Sequence, residues 1–302
     1  MRDLTCKLLI IGAGPGGYVC AIRAGQLGVD TIIVEKDKPG GTCLNVGCIP
    51  SKAIIHAADE FHKMTHHKPV ELPALPFDGT HVQSSTDLLA DPTLPKRLAV
   101  VGGGYIGLEL GIALAKLGTQ VTVIEAARHI LPLYDAELTK PIMDRLKALG
   151  VTVMTNTLAQ GRDGTSLIVQ DAGGQETTLP TDKILVTVGR RPVTDGLDLD
   201  RLALTMNGPF IQIDNTCATA MRGIYALGDV TGDPMLAHRA MAQGEMVAEI
   251  IAGQKRVWDK YCIPAICFTD PEILTVGLSP SEAAAQGHDI ITGTFPFMAN
   301  GR

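Results

Sequence analysis

"KLLIIGAGPGGYVCAIRAGQLGVDTIIVEK" (7–36) recurs without a gap, ninety positions later, as "RLAVVGGGYIGLELGIALAKLGTQVTVIEA" (97–126). Gly12, Gly14 and Gly17 fall on Gly102, Gly104 and Gly107, and Glu35 falls on Glu125. Each copy predicts an apolar strand, a G-x-G-x-x-G turn, an amphipathic helix closed by a glycine, and a second apolar strand ending in glutamate. In such a unit the first glycine allows the tight turn and the second lets backbone approach a pyrophosphate. The third brings helix and sheet together. The helix N-terminus offers partial positive charge to the phosphates. The glutamate, 23 residues after the first glycine in both copies, can accept the two hydroxyls of an adenosine ribose. One such turn alone is a weak signal, because glycines between strand and helix also occur in α/β units that bind no nucleotide. Two copies with strands and acid at equal spacing predict two dinucleotide sites. Glu125 would meet a 2′-phosphate with like charge, so the second site is expected to prefer NAD to NADP.

The composition around this repeat is that of a globular chain. It has 302 residues, 45% hydrophobic and 19% charged, enough for a core and for more than one domain. Aromatic residues make up 4% and the net charge is −6 with no basic block, which argues against nucleic acid and against an anionic membrane surface as partners. No apolar stretch reaches membrane-spanning length, and the run Leu8 to Ile11 flows straight into a glycine turn, so neither a leader nor a span is expected. The seven cysteines are scattered and odd in number, which predicts a reducing, cytoplasmic setting without a disulfide framework.

Two of those cysteines stand five residues apart in "GGTCLNVGCIPSKAIIHAADEFHKM" (40–64). Pro50 suits a helix start, and Ile54, Ala57, Ala58, Phe61 and Met64 follow on one helical face. Cys43 and Cys48 therefore lie at a helix entry, where the dipole favours thiolate. A redox pair, half of a zinc site and two small buried side chains are all open readings. Zinc needs four ligands, and no second pair stands at zinc-ribbon spacing. Cys262 and Cys267 share the five-residue gap but lie in an apolar run, which predicts a half-buried strand and structural thiols. His62 and His66 have i, i+4 spacing and read as exposed side chains, so no metal is expected.

The segment "GGTCLNVGCIPSK" resembles the redox-active stretch of the pyridine nucleotide–disulfide oxidoreductases. The likeness extends through "VVGGGYIGLELG" (100–111), "VTVGRRPVTDGL" (186–197), "YALGDVTGDPMLAHRAMAQGE" (225–245) and "IPAICFTDPEILTVGLS" (263–279). Its wording is nearest the branch that oxidises dihydrolipoyl groups of 2-oxo acid dehydrogenase complexes. The resemblance implies that Cys43 is the interchange thiol and Cys48 the thiol beside a flavin. It implies an FAD site from Gly12, Gly14, Gly17, Glu35, Lys36, Gly41, Thr42, Lys52, Asp229, Met235, Leu236, Ala237 and His238. It implies an NAD site from Gly102, Gly104, Tyr105, Ile106, Gly107, Glu109, Glu125 and Gly189, with Lys52 pairing Glu109. The implied partners are dihydrolipoyl groups on an acyltransferase or carrier protein and a second copy of the chain. Another disulfide reductase using NAD(P)H, or an inactive dinucleotide-binding remnant, are the alternative readings.

The chain departs from the family pattern in two places. The flavin-side unit jumps from "DEFHKMTHH" to "KPVELPALPFDGT" near residues 67 and 68, without the strands the family carries there. The interface domain has only begun when "TGTFPFMANGR" ends in what reads as a strand, so the family's histidine–glutamate base pair has no counterpart. The expected class is α/β, with two Rossmann-like dinucleotide-binding domains and the start of an α+β interface domain. The expected division is an FAD domain over 1–95 and 216–262, an NAD domain over 96–215, and interface residues 263–302. Within it, "DAELTKPIMDRLKALG" is predicted helical through Leu138, Ile142, Leu146 and Leu149. "SLIVQDAGGQETTL" is predicted to be a hairpin around Gly173 and Gly174, and "KPVELPALPFDGT" an extended crossing.

Overall fold

The computed structural model describes residues 4–40, 68–259 and 263–296. Cys43, Cys48, Gly41, Thr42, Lys52, the helix expected after Pro50 with His62 and His66, and Cys262 lie outside the described residues.

Both copies of the repeat fold as their spacing predicts. β1 (Leu8–Ile11), α1 (Pro15–Gln26) and β2 (Thr31–Val34) form the first, with β1 and β2 parallel. After β3 (Lys68–Pro69), β4 (Val82–Gln83) and α2 (Ser85–Ala90), the second follows as β5 (Arg97–Val101), α3 (Tyr105–Lys116) and β6 (Gln120–Ile124). Next come α4 (Ala136–Ala148), β7 (Thr152–Met154), a meander of β8 (Leu158–Asp163), β9 (Ser166–Gln170) and β10 (Glu176–Leu179), and then β11 (Lys183–Val186). Five strands make one parallel sheet in the order β4-β11-β5-β6-β7. Its edge strand at 82–83 lies upstream of residue 96, where the NAD unit was expected to start.

Helices α2, α3 and α4 cover one face of that sheet, over Leu98, Val100, Leu108, Ile142 and Leu146. The antiparallel meander covers the other, with Leu167 and Val169 against Val101, Ile124 and Ile184. The predicted hairpin is present, and Asp171 caps its turn by accepting the N–H groups of Gly173 and Gln175. In α4, Ile142 and Leu146 are buried, but Leu138 is 41% exposed and Thr139 is buried instead. The polar Thr139 can turn inward because its hydroxyl donates to the Ala136 carbonyl.

The same sequence pattern has a different fate in the first copy. Leu8 and Ile10 face a cluster formed by α1 and α5 (Ala237–Ile251), together with Cys20, Met246 and Val247. The opposite face stays open. Ile11 is 69% exposed, whereas Val101, its counterpart in the second copy, is 4% exposed. This two-stranded sheet buries one face on helices, and among the described residues no layer covers the other.

The crossing segment is more structured than an extended linker. β3 pairs antiparallel with β12 (Arg190–Arg191), Leu72 bridges Leu75, and the chain then enters the sheet as β4. Before Asp229, residues 224–227 contribute a single bridge, between Tyr225 and Ala218. Residues 228–231 turn in a 3-10 helix. The short pair β13 (Met206–Asn207) and β14 (Phe210–Ile211) precedes this turn. The C-terminal part forms an antiparallel hairpin of β15 (Pro264–Cys267) and β16 (Ile273–Val276), then α6 (Pro280–Ala285). The described residues 288–296 take no regular structure, although a strand was expected there.

Candidate cofactor sites

The two glycine turns superimpose in their hydrogen bonds as well as in sequence. Gly12 and Gly102 have φ of +95° and +106°, which L side chains rarely adopt. A Cβ on Gly17 would fall on the Gly12 carbonyl oxygen, and one on Gly107 would fall on the Gly102 carbonyl oxygen. The third glycine is thus required by the turn folding back on its own helix. By contrast, among the described residues nothing lies within 4 Å of where a Cβ would stand on Gly14 or Gly104. Those two glycines open onto space at the starts of α1 and α3, where no side chain caps the helix. An anionic pyrophosphate fits both places, by charge and by room.

The acids close each turn. Glu35 Oε2 accepts the Ala13 N–H at 2.7 Å, and Glu125 Oε2 accepts the Gly103 N–H at 2.6 Å. Each Oε1 accepts the N–H two residues on, from Asp37 at 3.1 Å and Ala127 at 2.7 Å. The carboxylates are therefore oriented by backbone beside the turns, as an adenosine-ribose acceptor must be. Lys36 is exposed at the end of β2. Gly40, next to the start of the dithiol segment, donates its N–H to the Ala13 carbonyl at 2.7 Å. Gly40, the last described residue before the dithiol segment, thus lies beside the first glycine turn. Further along the chain, Val70 donates to the Gly189 carbonyl at 3.1 Å.

Asp229, Met235, Leu236, Ala237 and His238 come together around the start of α5. Gln243, almost fully buried, accepts the Gly228 N–H at 2.7 Å and so fixes the turn that carries Asp229. Arg239, also buried, donates to Thr231 Oγ1 at 2.6 Å, to the Pro234 carbonyl at 3.1 Å and to the Gly232 carbonyl. Burial lowers its pKa, opposed by the nearby Asp229 carboxylate. Helix α5 begins at Ala237, after Leu236, without a side-chain cap among the described residues, so its first N–H groups have no intrahelical partner. His238 is exposed. Of the positions at helical spacing in α5, Ala240, Gly244, Val247 and Ala248 are buried and Met241 and Ile251 half-buried, and that spacing misses the buried Arg239, Gln243 and Glu249. The helix also packs so closely on α1 that a Cβ on Gly244 would fall on the Gly16 carbonyl oxygen. Glu249 is held there by Arg23 and Arg256, each at 2.6 Å.

On the second turn, Tyr105 and Ile106 start α3, and Glu109 lies one turn further along. Glu109 Oε1 accepts the Phe268 N–H at 2.9 Å. Gly189, exposed, with φ of +146°, stands beside Val70. Sequence reasoning missed Arg190. Its Nη2 donates to Tyr105 Oη and to the Met235 carbonyl, both at 2.6 Å, and Nη1 lies 3.6 Å from Asp229 Oδ2. The guanidinium also sits 5.9 Å from the Tyr105 ring centre. Its only sequence signal is its place after Gly189 in "VGRRP".

Among the described residues, Cys6, Cys20, Cys217 and Cys267 form no disulfide. Burial pushes the Cys20 and Cys267 thiols up to about 11, so both stay protonated and unreactive. This agrees with Cys267 as a structural thiol on a half-buried strand. Among the described residues no group of His, Cys, Asp and Glu could hold a metal ion, and no helix is long and apolar enough to cross a membrane.

The profile of the pyridine nucleotide-disulphide oxidoreductases matches residues 6–83 and 68–244, and that of the family's dimerisation domain matches 263–302. The chain is 44% identical to a dihydrolipoyl dehydrogenase of Pseudomonas aeruginosa, across 99% of this chain and 82% of that protein. It is 37% identical to one from Geobacillus stearothermophilus, across 99% of this chain and 81% of that protein. The first alignment runs to 381 positions on a chain of 302 residues, so the relative carries stretches without a counterpart here. Among solved structures, the HOCl-induced flavoprotein disulfide reductase RclA from Escherichia coli superimposes with a TM-score of 0.82 at 25% identity, over 97% of this chain and 82% of that one. LpdA from Mycobacterium tuberculosis gives 0.81 at 25% identity, over 92% and 80%.

Proposed function

The chain belongs to the pyridine nucleotide-disulphide oxidoreductase family, and on that footing we propose that it is an FAD-dependent dihydrolipoyl dehydrogenase that passes electrons to NAD. The observation that carries the reading is the likeness to dihydrolipoyl dehydrogenases over 99% of the chain, together with two glycine turns that each present open space, helix N–H groups and an oriented acid.

In this reading Gly12, Gly14, Gly17 and Glu35 hold the adenosine and pyrophosphate of FAD, with Lys36, Gly41 and Thr42 beside them. Asp229 binds its ribityl–phosphate region, and Met235 to His238 turn N–H groups to the flavin. Gly102, Gly104, Ile106, Gly107 and Glu125 hold NAD, while Tyr105, Glu109 and Gly189 line the nicotinamide end. Bound FAD supplies a two-electron carrier between the thiols and NAD. A dihydrolipoyl thiolate attacks Cys43 of the Cys43–Cys48 disulfide. Its second thiol then displaces Cys43, and the substrate leaves as a cyclic disulfide. The substrate loses two electrons and the protein gains two thiols. Cys48 is the thiol beside the flavin, and Lys52 balances charge near it.

The partners are dihydrolipoyl groups carried on an acyltransferase or carrier protein, and a second copy of the chain joined through the region matching the dimerisation domain. The odd number and scatter of the cysteines fit a reducing, cytoplasmic setting. The domain division proposed is FAD over 1–95 and 216–262, with residues 82–90 crossing over to the NAD sheet ahead of that boundary, NAD over 96–215 and interface from 263, with an internal segment missing near residues 67 and 68. The length of the alignment with the relative supports that last point.

The test is anaerobic addition of dihydrolipoamide to the purified protein, followed in the visible spectrum. A yellow protein that develops a long-wavelength thiolate-to-flavin band, and that glutathione leaves unchanged, is the expected result. Reduction by glutathione instead would move the chain to the wider class of disulfide reductases. A colourless protein that takes up no FAD would overturn the reading.

A further inference from the structure

The strongest unassigned feature is a single guanidinium touching groups from both candidate cofactor sites. Arg190 donates from one nitrogen to the phenol of Tyr105, the first residue of α3, and to the Met235 carbonyl just before α5. Its other terminal nitrogen faces Asp229, in the turn before α5. Tyr105 belongs to the candidate NAD site, and Met235 and Asp229 belong to the candidate FAD site. The backbone of Arg190 is itself fixed, because β12 pairs with β3 and the Gly189 carbonyl is taken by Val70. The side chain is largely shielded, at 21% exposure, so it is held between the two units and does not wave in solvent.

We infer that Arg190 is a positioning residue that sets the start of α3 against the turn carrying Asp229 and Met235, and through them the spacing of the two bound cofactors. The inference rests on the proposed function. The fork of a guanidinium matters because three acceptors at different angles share one planar cation. An ammonium keeps the charge but cannot reach all three in a fixed geometry. Hydride transfer to NAD is the step that depends on the distance between the two cofactors. It delivers two electrons and one proton together, and a displacement of about 1 Å costs on the order of a hundredfold in such a step. In the proposed function, reduction of the flavin by the thiols does not involve Tyr105 or bound NAD.

The test uses FAD-loaded protein and three variants: Arg190→Met, Arg190→Lys and Tyr105→Phe. Stopped-flow absorbance separates flavin reduction by dihydrolipoamide from flavin reoxidation by NAD⁺, and titration calorimetry measures NAD⁺ affinity. The Met variant is expected to keep its FAD and its rate of reduction by dihydrolipoamide. Its reoxidation by NAD⁺ is expected to slow by on the order of tenfold to a hundredfold, with weaker NAD⁺ binding. The Lys variant recovers part of the loss, and Tyr105→Phe, which leaves the fold intact, reproduces part of it. Wild-type reoxidation and NAD⁺ affinity in the Met variant overturn the inference. So does a loss that falls equally on both half-reactions with a lowered melting temperature, which would make Arg190 structural only. Failure of the proposed function is a separate result, since it appears as wild-type protein that dihydrolipoamide does not reduce. Dithionite-reduced protein and the calorimetric titration then still test Arg190.

Discussion

Glu109 on α3 accepts the backbone N–H of Phe268, 159 residues further along the chain, at 2.9 Å. The bond ties the helix of the second glycine turn to the hairpin that opens the dimerisation region. Lys52, the partner expected for Glu109, lies outside the described residues. The carboxylate is thus shared between the candidate nicotinamide pocket and the C-terminal hairpin. Glu109→Ala removes an ionised acceptor from a part-buried N–H and is expected to cost about 1–3 kcal/mol. Glu109→Gln keeps an oxygen in reach and is expected to cost less. Urea denaturation of both variants checks the difference. Equal losses would mean that the Phe268 bond contributes nothing.

The third glycines make a prediction that separates the two sites. Gly17→Ala drives a methyl into the Gly12 carbonyl, and Gly107→Ala drives one into the Gly102 carbonyl. Each is expected to destabilise its own turn by about 1–3 kcal/mol. Gly17→Ala should lower FAD content while NAD⁺ binding by calorimetry survives, and Gly107→Ala should do the reverse. Loss of both ligands in both variants would show that the two turns do not act as separate sites.

The two copies of the repeat also differ in what covers them. Ile11→Thr places a hydroxyl on the open face of the first copy, where the residue is 69% exposed, and is expected to cost under about 0.5 kcal/mol. Val101→Thr, at the matching position under the meander, buries that hydroxyl at 4% exposure and is expected to cost about 1–3 kcal/mol. Chemical denaturation of the pair measures the contrast. Similar costs would mean that something covers Ile11 in solution.

Asp270 gives a pH signature. Lys116 first, and then Arg145, each with its nitrogen 2.8 Å from Oδ2, hold the carboxyl below its ordinary 3.8. Because the folded value is the lower one, the pair stabilises fully above the unfolded value, near pH 4. The contribution is lost as pH falls through the folded value. Both cations are more than a third exposed, so the effect is screened and small. The expected outcome is weaker hydrogen-exchange protection of residues 264–276 on acidifying below about pH 4. Asp270→Asn should show that weaker protection already at neutral pH and change less with acid. Unchanged protection in Asp270→Asn at neutral pH would remove Asp270 from the docking of the hairpin.

Local chemistry made much of this protein legible before any fold was in view. Strand, glycine turn, helix and acid lie within about thirty residues, and each depends on neighbours in the chain: backbone freedom at Gly12 and Gly102, the hydrophobic period of α3, the Asp171 turn of the hairpin. Ninety-residue repetition then predicted two sites of one kind. Tertiary structure alone decided which surfaces meet. The apolar strand pattern is the same in β1 and β5, yet one outer face is exposed and the other lies under a meander. Leu138 has the helical spacing of a core residue and faces solvent, while Thr139 turns inward. Arg190 and Glu109 acquire their partners only when segments 39 to 159 residues away arrive beside them. Turn and helix preferences act over a few residues, so a sequence displays them directly. Burial and polar pairing depend on which distant surface comes to rest against a residue, and only the assembled chain supplies that surface.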